Sequence, residues 1–231
     1  MKLTKLSFAA LSLTASAAAV SLAAPAAAQV NGIAVASPEA VIVRAAARIA
    51  AEQQIQTTYA TQIQQIRTGQ QELTNLQRSL DTNNDGQLTD AEIQANPNVV
   101  QQIQTKEQQI AQIAQPIQMA QFYVIEQLVN DYQNARNQVI QQKNITMILA
   151  PDAVQYAPES ANVTNDITAA LDQRLPTVST TPPAGWQPRR ETVQLHQTVQ
   201  QIVGAVAQQQ AAQAAAQGQQ QQPATPQPQG R

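Results

Sequence analysis

Two long stretches of helix-forming sequence on either side of one short polar loop constrain this chain most. From Pro38 to Leu80 only Gly69 interrupts helical composition, and Ile55, Tyr59, Ile63, Ile66, Leu73, Leu76 and Leu80 recur at three, four or seven residues. Downstream, Asn96 sets a capping residue before Pro97 at the first helical position. Ile103, Ile110, Ile117 and Val124 then follow at intervals of seven, with Ile113 and Leu128 between them. Such narrow stripes describe coiled-coil-like seams rather than broad globular faces. The second run reaches about Lys143. Each arm of about 45 residues is then roughly 65 Å long at about 1.5 Å per residue. Two arms of equal length joined by a turn make an antiparallel hairpin. Pro116 removes a backbone donor inside the second arm and predicts a kink there.

The segments flanking the arms read as β structure. Residues 32–36 (GIAVA) and 145–149 (ITMIL) are short apolar runs, and Val154–Ala157 predicts a short third strand. Ser37 before Pro38 marks the start of the first helix, and Asn165-Asp166 cap a helix through Ile167, Leu171 and Leu175 that stops at Pro176. Strands so placed can pair only if the hairpin leaves and returns at one point. The expected architecture is α+β: a small β head from residues 29–37 and 144–176, carrying the long antiparallel α-helical coiled-coil hairpin of residues 38–143. Two or three strands and a short helix are too little core to stand alone, which points to oligomerisation. Residues 177–188 form a Pro-rich linker with one aromatic anchor, Trp186. Residues 189–217 predict an amphipathic tail helix with Val193, Val199, Ile202, Val203 and Val206 on its apolar face. Residues 218–231 form a Gln/Pro-rich tail expected to be disordered.

Lys2 and Lys5 precede an apolar run from Leu6 to Ala24, and Ala26-Ala27-Ala28 offers a small-residue cleavage site, so residues 1–28 read as a secretory signal peptide. The mature chain then begins at Gln29, and no later segment has enough consecutive apolar residues to span a bilayer. Beyond residue 28 there are eleven basic and fifteen acidic residues, a net −4, which predicts neither nucleic-acid nor anionic-lipid binding. Cysteine is absent, so an oxidising compartment is compatible with the chain but disulfides do not stabilise it. Aromatic residues make up only 3% of the sequence while Gln is abundant, which argues for an elongated, thinly cored molecule.

One motif carries specific chemistry. Residues 81–92 fit the spacing of an EF-hand calcium loop at every fixed position. A hard cation needs several oxygens converging from a short loop, and the side chains of Asp81, Asn83 and Asp85 with the carbonyl of Gln87 would supply four. Gly86 would make the sharp bend, Thr89 would act directly or through water, and Glu92 would close the site with both carboxylate oxygens. The competing reading is a polar turn, since Asp, Asn and Gly are ordinary turn residues. A lone loop lacks a stiffening partner, so calcium affinity in the weak range of about 10⁻⁴ to 10⁻³ M is expected.

Other constellations are missing. His196 is the only histidine, stands in the tail helix without neighbouring ligands, and reads as a surface residue. Neither a catalytic triad, a metal-hydrolase motif nor a phosphate-cradling glycine loop is present, so enzyme activity is not expected. Asn144 and Asn162 begin glycosylation-type triplets, a pattern too common to decide anything.

In its order of elements the chain resembles the Skp/OmpH family of periplasmic chaperones. Two stretches carry the resemblance: GIAVASPEA at 32–40, and ITMILAPDAVQYAPESANVTNDITAALDQRL at 145–175, with Asp152, Val154, Tyr156 and Asp166-Ile167-Thr168 in the matching places. The resemblance implies a homotrimer whose β heads form a joint barrel and whose hairpins project as tentacles around a cavity. It also implies that the cavity holds unfolded outer-membrane proteins in the periplasm without ATP. Inward-facing Ile residues, with Ile63, Ile66, Ile103, Ile110 and Ile117 as candidates, would make the client contacts. The Gln-rich, nearly uncharged arms lack the electrostatic means to attract anionic clients. The alternative function is a structural or adhesion protein of the cell envelope that uses calcium at its tip.

Overall fold

The computed structural model describes residues 32–220, with side chains to residue 216. The signal-peptide reading of residues 1–28 lies outside the described residues, as does the tail from residue 221. The described residues start at Gly32, whose carbonyl accepts the N–H of Thr146 at 2.7 Å and of Met147 at 3.0 Å. This glycine has φ +75°, and a Cβ there would stand 2.6 Å from Thr146 Oγ1, so both dihedral and space require Gly where the two ends of the arm meet. Strand β1 (Ile33–Val35) pairs in parallel with β2 (Met147–Leu149) in the register Ile33 to Met147, Ala34 to Ile148 and Val35 to Leu149. Parallel strands need a crossover, and here the crossover is the whole arm.

The first arm is three helices where the sequence pattern predicts one: α1 (Pro38–Arg44), α2 (Ala46–Thr58) and α3 (Ala60–Leu80). Ser37 caps α1, its hydroxyl accepting the Ala40 N–H at 3.1 Å ahead of Pro38. At Ala45 ψ swings to 125° and the ladder breaks. Its orphaned groups find partners: the Ala46 N–H donates to Asp172 Oδ1 at 2.8 Å, and Arg48 donates from Nε and Nη2 to the Val43 carbonyl at 2.9 and 2.7 Å. The second departure, at Tyr59, is only a bend. Its N–H still reaches the Ile55 carbonyl and its own carbonyl still accepts from Ile63, both at 2.9 Å.

A short α4 (Asp90–Ala95) follows the tip loop, and α5 (Pro97–Lys143) returns as one helix through Pro116. Asn144 ends α5 in the left-handed conformation at φ 52°. The α3 and α5 helices run antiparallel in contact: Lys106 pairs with Glu72 at 2.6 Å, and Gly69 lies against Ile110. A Cβ on Gly69 would come within 3.0 Å of Ile110 Cγ1, so the residue that looks like an interruption is what lets the two helices approach.

After β2 the structure departs from the predicted third strand. Residues 151–153 and 159–161 form single 3₁₀ turns, and Val154–Ala157 joins no ladder among the described residues. A strand needs a neighbour, and among the described residues the one further bridge to β1 comes from Asn162 opposite Val35. Helix α6 (Thr164–Arg174) starts earlier than the Asn165-Asp166 signal suggests, because Asn162 Oδ1 accepts the Thr164 N–H at 3.0 Å.

The core gathers at the base of the arm, where Val41 and Ile42 of α1, Val124, Leu128 and Val139 of α5, and Ile167 and Leu171 of α6 are buried. Alanines 34, 36, 45, 47, 51, 120, 135 and 170 fill the remaining interior, letting helices pack closely with few large side chains. The linker crosses α5: Gln127 exchanges two hydrogen bonds with the Ser179 backbone at 2.9 and 3.0 Å, and Trp186 stands edge-on to Tyr123. Helix α7 (Arg190–Gln220) extends through residues expected to be disordered, Gly218 to Gln220. Its first half docks on α1 and α5 through buried Val199 and Thr192. The sequence reading of His196 as a surface residue is corrected here. It is half-buried, edge-on to Phe122 with ring centroids 4.9 Å apart. Val206, assigned to the apolar face, is 44% exposed because α7 has left the head by that point.

Candidate functional site

Midway along the arm an open groove of about 590 Å³ lies between the outgoing and returning helices. Its apolar lining is Ile55, Ala60, Ile63, Ile66, Ala114 and Ile117. Heptad-like spacing puts Ile63 and Ile66 on one side, one turn apart, and Ile117 faces them from α5. Polar side chains make the rim, where Gln121 Nε2 donates to Glu52 Oε1 at 3.0 Å. Of the five candidate client contacts, Ile63, Ile66 and Ile117 meet in this groove. Ile110 packs on Gly69 with Ile113 on the other face of the hairpin, and Ile103 is half-buried further out. Glu52 and Arg67 stand among the rim amides, and the aliphatic floor suits an extended apolar segment, holding it by dispersion and desolvation.

At the tip, Asp81 and its neighbours wrap the loop around their own oxygens. Asp81 accepts from the Asp85 and Gly86 N–H groups at 3.1 and 2.8 Å, Asn83 Oδ1 from the Asp85 N–H at 2.9 Å, and Asp85 Oδ1 from the Gln87 N–H at 2.8 Å. Gly86 turns at φ +79° with open space around it, as a residue at a sharp bend must. Glu92 is engaged elsewhere. Its Oε2 accepts from the N–H and hydroxyl of Thr89 at 3.0 and 2.8 Å, while Oε1 accepts from the N–H and hydroxyl of Thr82 at 2.9 and 3.0 Å. Thr89 accepts the Glu92 N–H in return, a capping box that opens α4. These bonds, led by the Thr89 backbone donor, hold the Glu92 carboxyl down to about 2.

The donor set is all oxygen, as a hard cation requires, and its first half already has the wrapped form. The second half does not converge on it: among the described residues no three acidic or histidine side chains close on one point. Glu92 would have to leave Thr82 and Thr89 to act as a ligand. The sequence motif identifies Thr89 and Glu92 as ligand positions, yet the same two residues read equally well as a capping box, whose spacing overlaps the end of the calcium pattern.

Sequence reasoning missed how the tail is held. Glu126, nearly buried on α5, accepts from the Thr192 hydroxyl at 2.8 Å and the Arg189 N–H at 3.3 Å. Burial alone would raise its pKa, but the Thr192 and Arg189 donors and the Arg189 charge together keep it below the usual carboxylate range. Asp131 is also lowered, chiefly by two hydrogen bonds from Arg174, both at 2.8 Å. No local pattern marks either carboxylate, since the partners lie 43 to 66 residues away.

A family model described as outer membrane protein (OmpH-like) matches residues 32–171, which takes in the head, the arm and most of α6. Among curated proteins none matches the chain. One solved structure is similar: an OmpH-like protein of Caulobacter crescentus, provisionally described as an outer membrane chaperone. It shares 18% identity over 69% of this chain and 95% of its own, at a TM-score of 0.44, too low for the likeness to carry the fold assignment. Among the described residues no helix is long and apolar enough to cross a membrane.

Proposed function

This chain belongs to the OmpH-like outer membrane protein family, and from that premise we propose that it is an ATP-independent holding chaperone of the periplasm for unfolded outer-membrane proteins. The observation that carries the reading is the mid-arm groove, where Ile63, Ile66 and Ile117 offer an apolar surface inside a mainly amide rim that also holds Glu52 and Arg67. A β-barrel client in its unfolded state presents alternating apolar residues along an extended chain. Several such grooves around one cavity would hold it through many weak contacts, each reversible, with avidity supplied by number. We propose a homotrimer as the source of that number, since one head with a two-stranded sheet of three-residue strands has too little β structure to stand alone. The role is binding rather than catalysis.

The test is suppression of aggregation. A trimer of the secreted chain mixed near stoichiometry with a urea-unfolded outer-membrane barrel protein is expected to keep it in solution after dilution. Ile63→Asp together with Ile117→Asp should abolish the effect while leaving the head's melting unchanged. Aggregation that proceeds unhindered in the presence of a folded wild-type trimer would refute the chaperone reading.

The second reading is a calcium site at the tip, with an envelope structural or adhesion role, favoured by the wrapped oxygens of Asp81, Asn83 and Asp85. Binding would draw Glu92 out of its capping box, so the affinity should be weak. Calcium at millimolar levels should raise the melting temperature of the wild type but not of Asp81→Ala with Asp85→Ala. Identical responses in the two proteins would remove calcium from the account.

A further inference from the structure

Helix α7 follows the hairpin outward on the face that carries the mid-arm groove. Thr192 meets Glu126 and His196 stands against Phe122, so four residues along α7 answer to four residues back along α5. Gln118, one turn from Phe122 on the same side of α5, lines the groove. Glu52 ties helix and groove together from the outgoing arm, where it lines the groove and accepts from Gln121. Burial lowers the His196 pKa, and the nearby Glu52 carboxylate opposes that shift. The valley filled by the base of α7 is thus continuous with the groove. Carried on, the same step sets Gln200 level with Gln118 and Gly204 level with Ala114, both of them groove residues on α5.

Packing stops as α7 passes the groove. Val199 is buried and Val203 half-buried, but every residue from Gly204 to Ala216 is exposed, and no α7 residue lines the groove. The apolar stripe outlasts the packing: after Val199 and Val203 it continues in Val206, 44% exposed on the same side of the helix. Gly204 stands at this junction. A glycine inside a helix costs about 1 kcal/mol relative to alanine, and nothing lies within 4 Å of where its Cβ would be, so no close approach calls for it. It loosens the helix at the point where the outer half would turn inward. Charge does not oppose that turn, because residues 197–216 include neither an acid nor a base.

We propose that residues 205–216 of α7 are a strap that closes over the groove from Gly204, laying Val206 on Ile63 and Ile66 in the place a client would take. This deepens the chaperone reading and rests on the groove being the client site. Beyond Val206 the stripe offers only Gln210 and Ala214, so the strap holds weakly. Attachment to the docked half of α7 supplies the local concentration that so weak a ligand lacks. A client with several apolar side chains displaces it, and an empty chaperone keeps its apolar floor covered.

The test uses the secreted chain, which has no cysteine of its own. Binding of a fluorescently labelled, urea-unfolded outer-membrane barrel protein is compared in the wild type, a chain ending at Val203, and Val206→Asp. Position 206 is exposed, and circular dichroism checks that its replacement leaves the fold intact. Both variants should bind about three- to tenfold more tightly, the gain when an internal competitor covers the site for about two-thirds to nine-tenths of the time. Val206→Cys with Gln70→Cys, at the outer end of the groove, should form a disulfide within one chain. It should form faster than the disulfide of Gln208→Cys with Gln70→Cys, whose first position lies on the far side of α7, and saturating client should slow it. The locked chain should bind poorly until reduced. Equal or weaker binding by both variants, or equal disulfide rates for the two pairs, overturns the strap, while binding by the wild type leaves the chaperone reading standing. Absence of binding in every variant overturns both.

Discussion

Glu126 on α5 accepts the hydroxyl of Thr192 at 2.8 Å across 66 residues of sequence, and this bond fastens the tail helix to the base of the arm. Thr192 is 2% exposed, so its donor has no water to fall back on. Thr192→Val keeps the shape and removes the donor, leaving a nearly buried carboxylate short of one partner at a cost of about 1–3 kcal/mol. Limited proteolysis should then cleave the linker near Trp186 faster than in the wild type, with cleavage inside α5 unchanged.

The Leu171 side chain is fully buried against α1 and α5, and Leu171→Ala should cost about 2–5 kcal/mol in urea denaturation. The same truncation at Leu73, a half-buried position in the outer arm, should cost distinctly less. Equal losses at both positions would mean that the core does not sit at the base.

Gly69 offers a sharper test of how the arm packs. Gly69→Leu forces a branched side chain into a space that Ile110 already occupies and should destabilise the arm by about 1–3 kcal/mol. Ile110→Ala in the same chain should recover part of that loss, since the cavity it opens is where the new side chain would go. Helicity measured by circular dichroism during thermal melting reads both effects.

Acid should loosen the tip and the tail. Glu92, Glu126 and Asp131 all have folded pKa values below their unfolded ones, Glu92 at about 2. Each therefore contributes stability that is complete above the unfolded range of about 3.9–4.3 and is lost as pH falls through the folded value. Melting temperature should be flat from pH 7 to about 5 and decline below about 4. Glu92→Gln should lessen the part of the decline that extends toward pH 2, because the capping carboxylate is then neutral at every pH.

Much of the fold was legible in the residues, for reasons that are local. Pro97 opens α5 and its pattern ends at Lys143, Ser37-Pro38 open α1, and the two strands fall within GIAVA and ITMIL, each feature being set by capping chemistry or short-range pattern. The break at Ala45 was not legible. The N–H freed by it, that of Ala46, is satisfied by Asp172, 126 residues downstream, and nothing near Ala45 announces that partner. Val154–Ala157 shows the converse, a stretch with strand chemistry and no neighbour to realise it. At the candidate site the periodic Ile residues could be read, but not which of them share a groove: Ile63, Ile66 and Ile117 line one, while Ile110 packs on Gly69. Glu92 could be read two ways, and its hydrogen bonds in the structure are those of a cap.

The parallel register of β1 and β2 also bears on the order in which the chain can fold. Ile33 meets Met147 across an intervening stretch of more than a hundred residues, and three paired residues return little against the entropy of closing so long a loop from the open chain. Once α3 and α5 have zipped from the tip toward the base, the same two strands are delivered almost side by side and the remaining closure is short. The sheet is thus the last joint to shut, and a substitution that slows helix pairing at Gly69 should delay head formation although it lies far out along the arm.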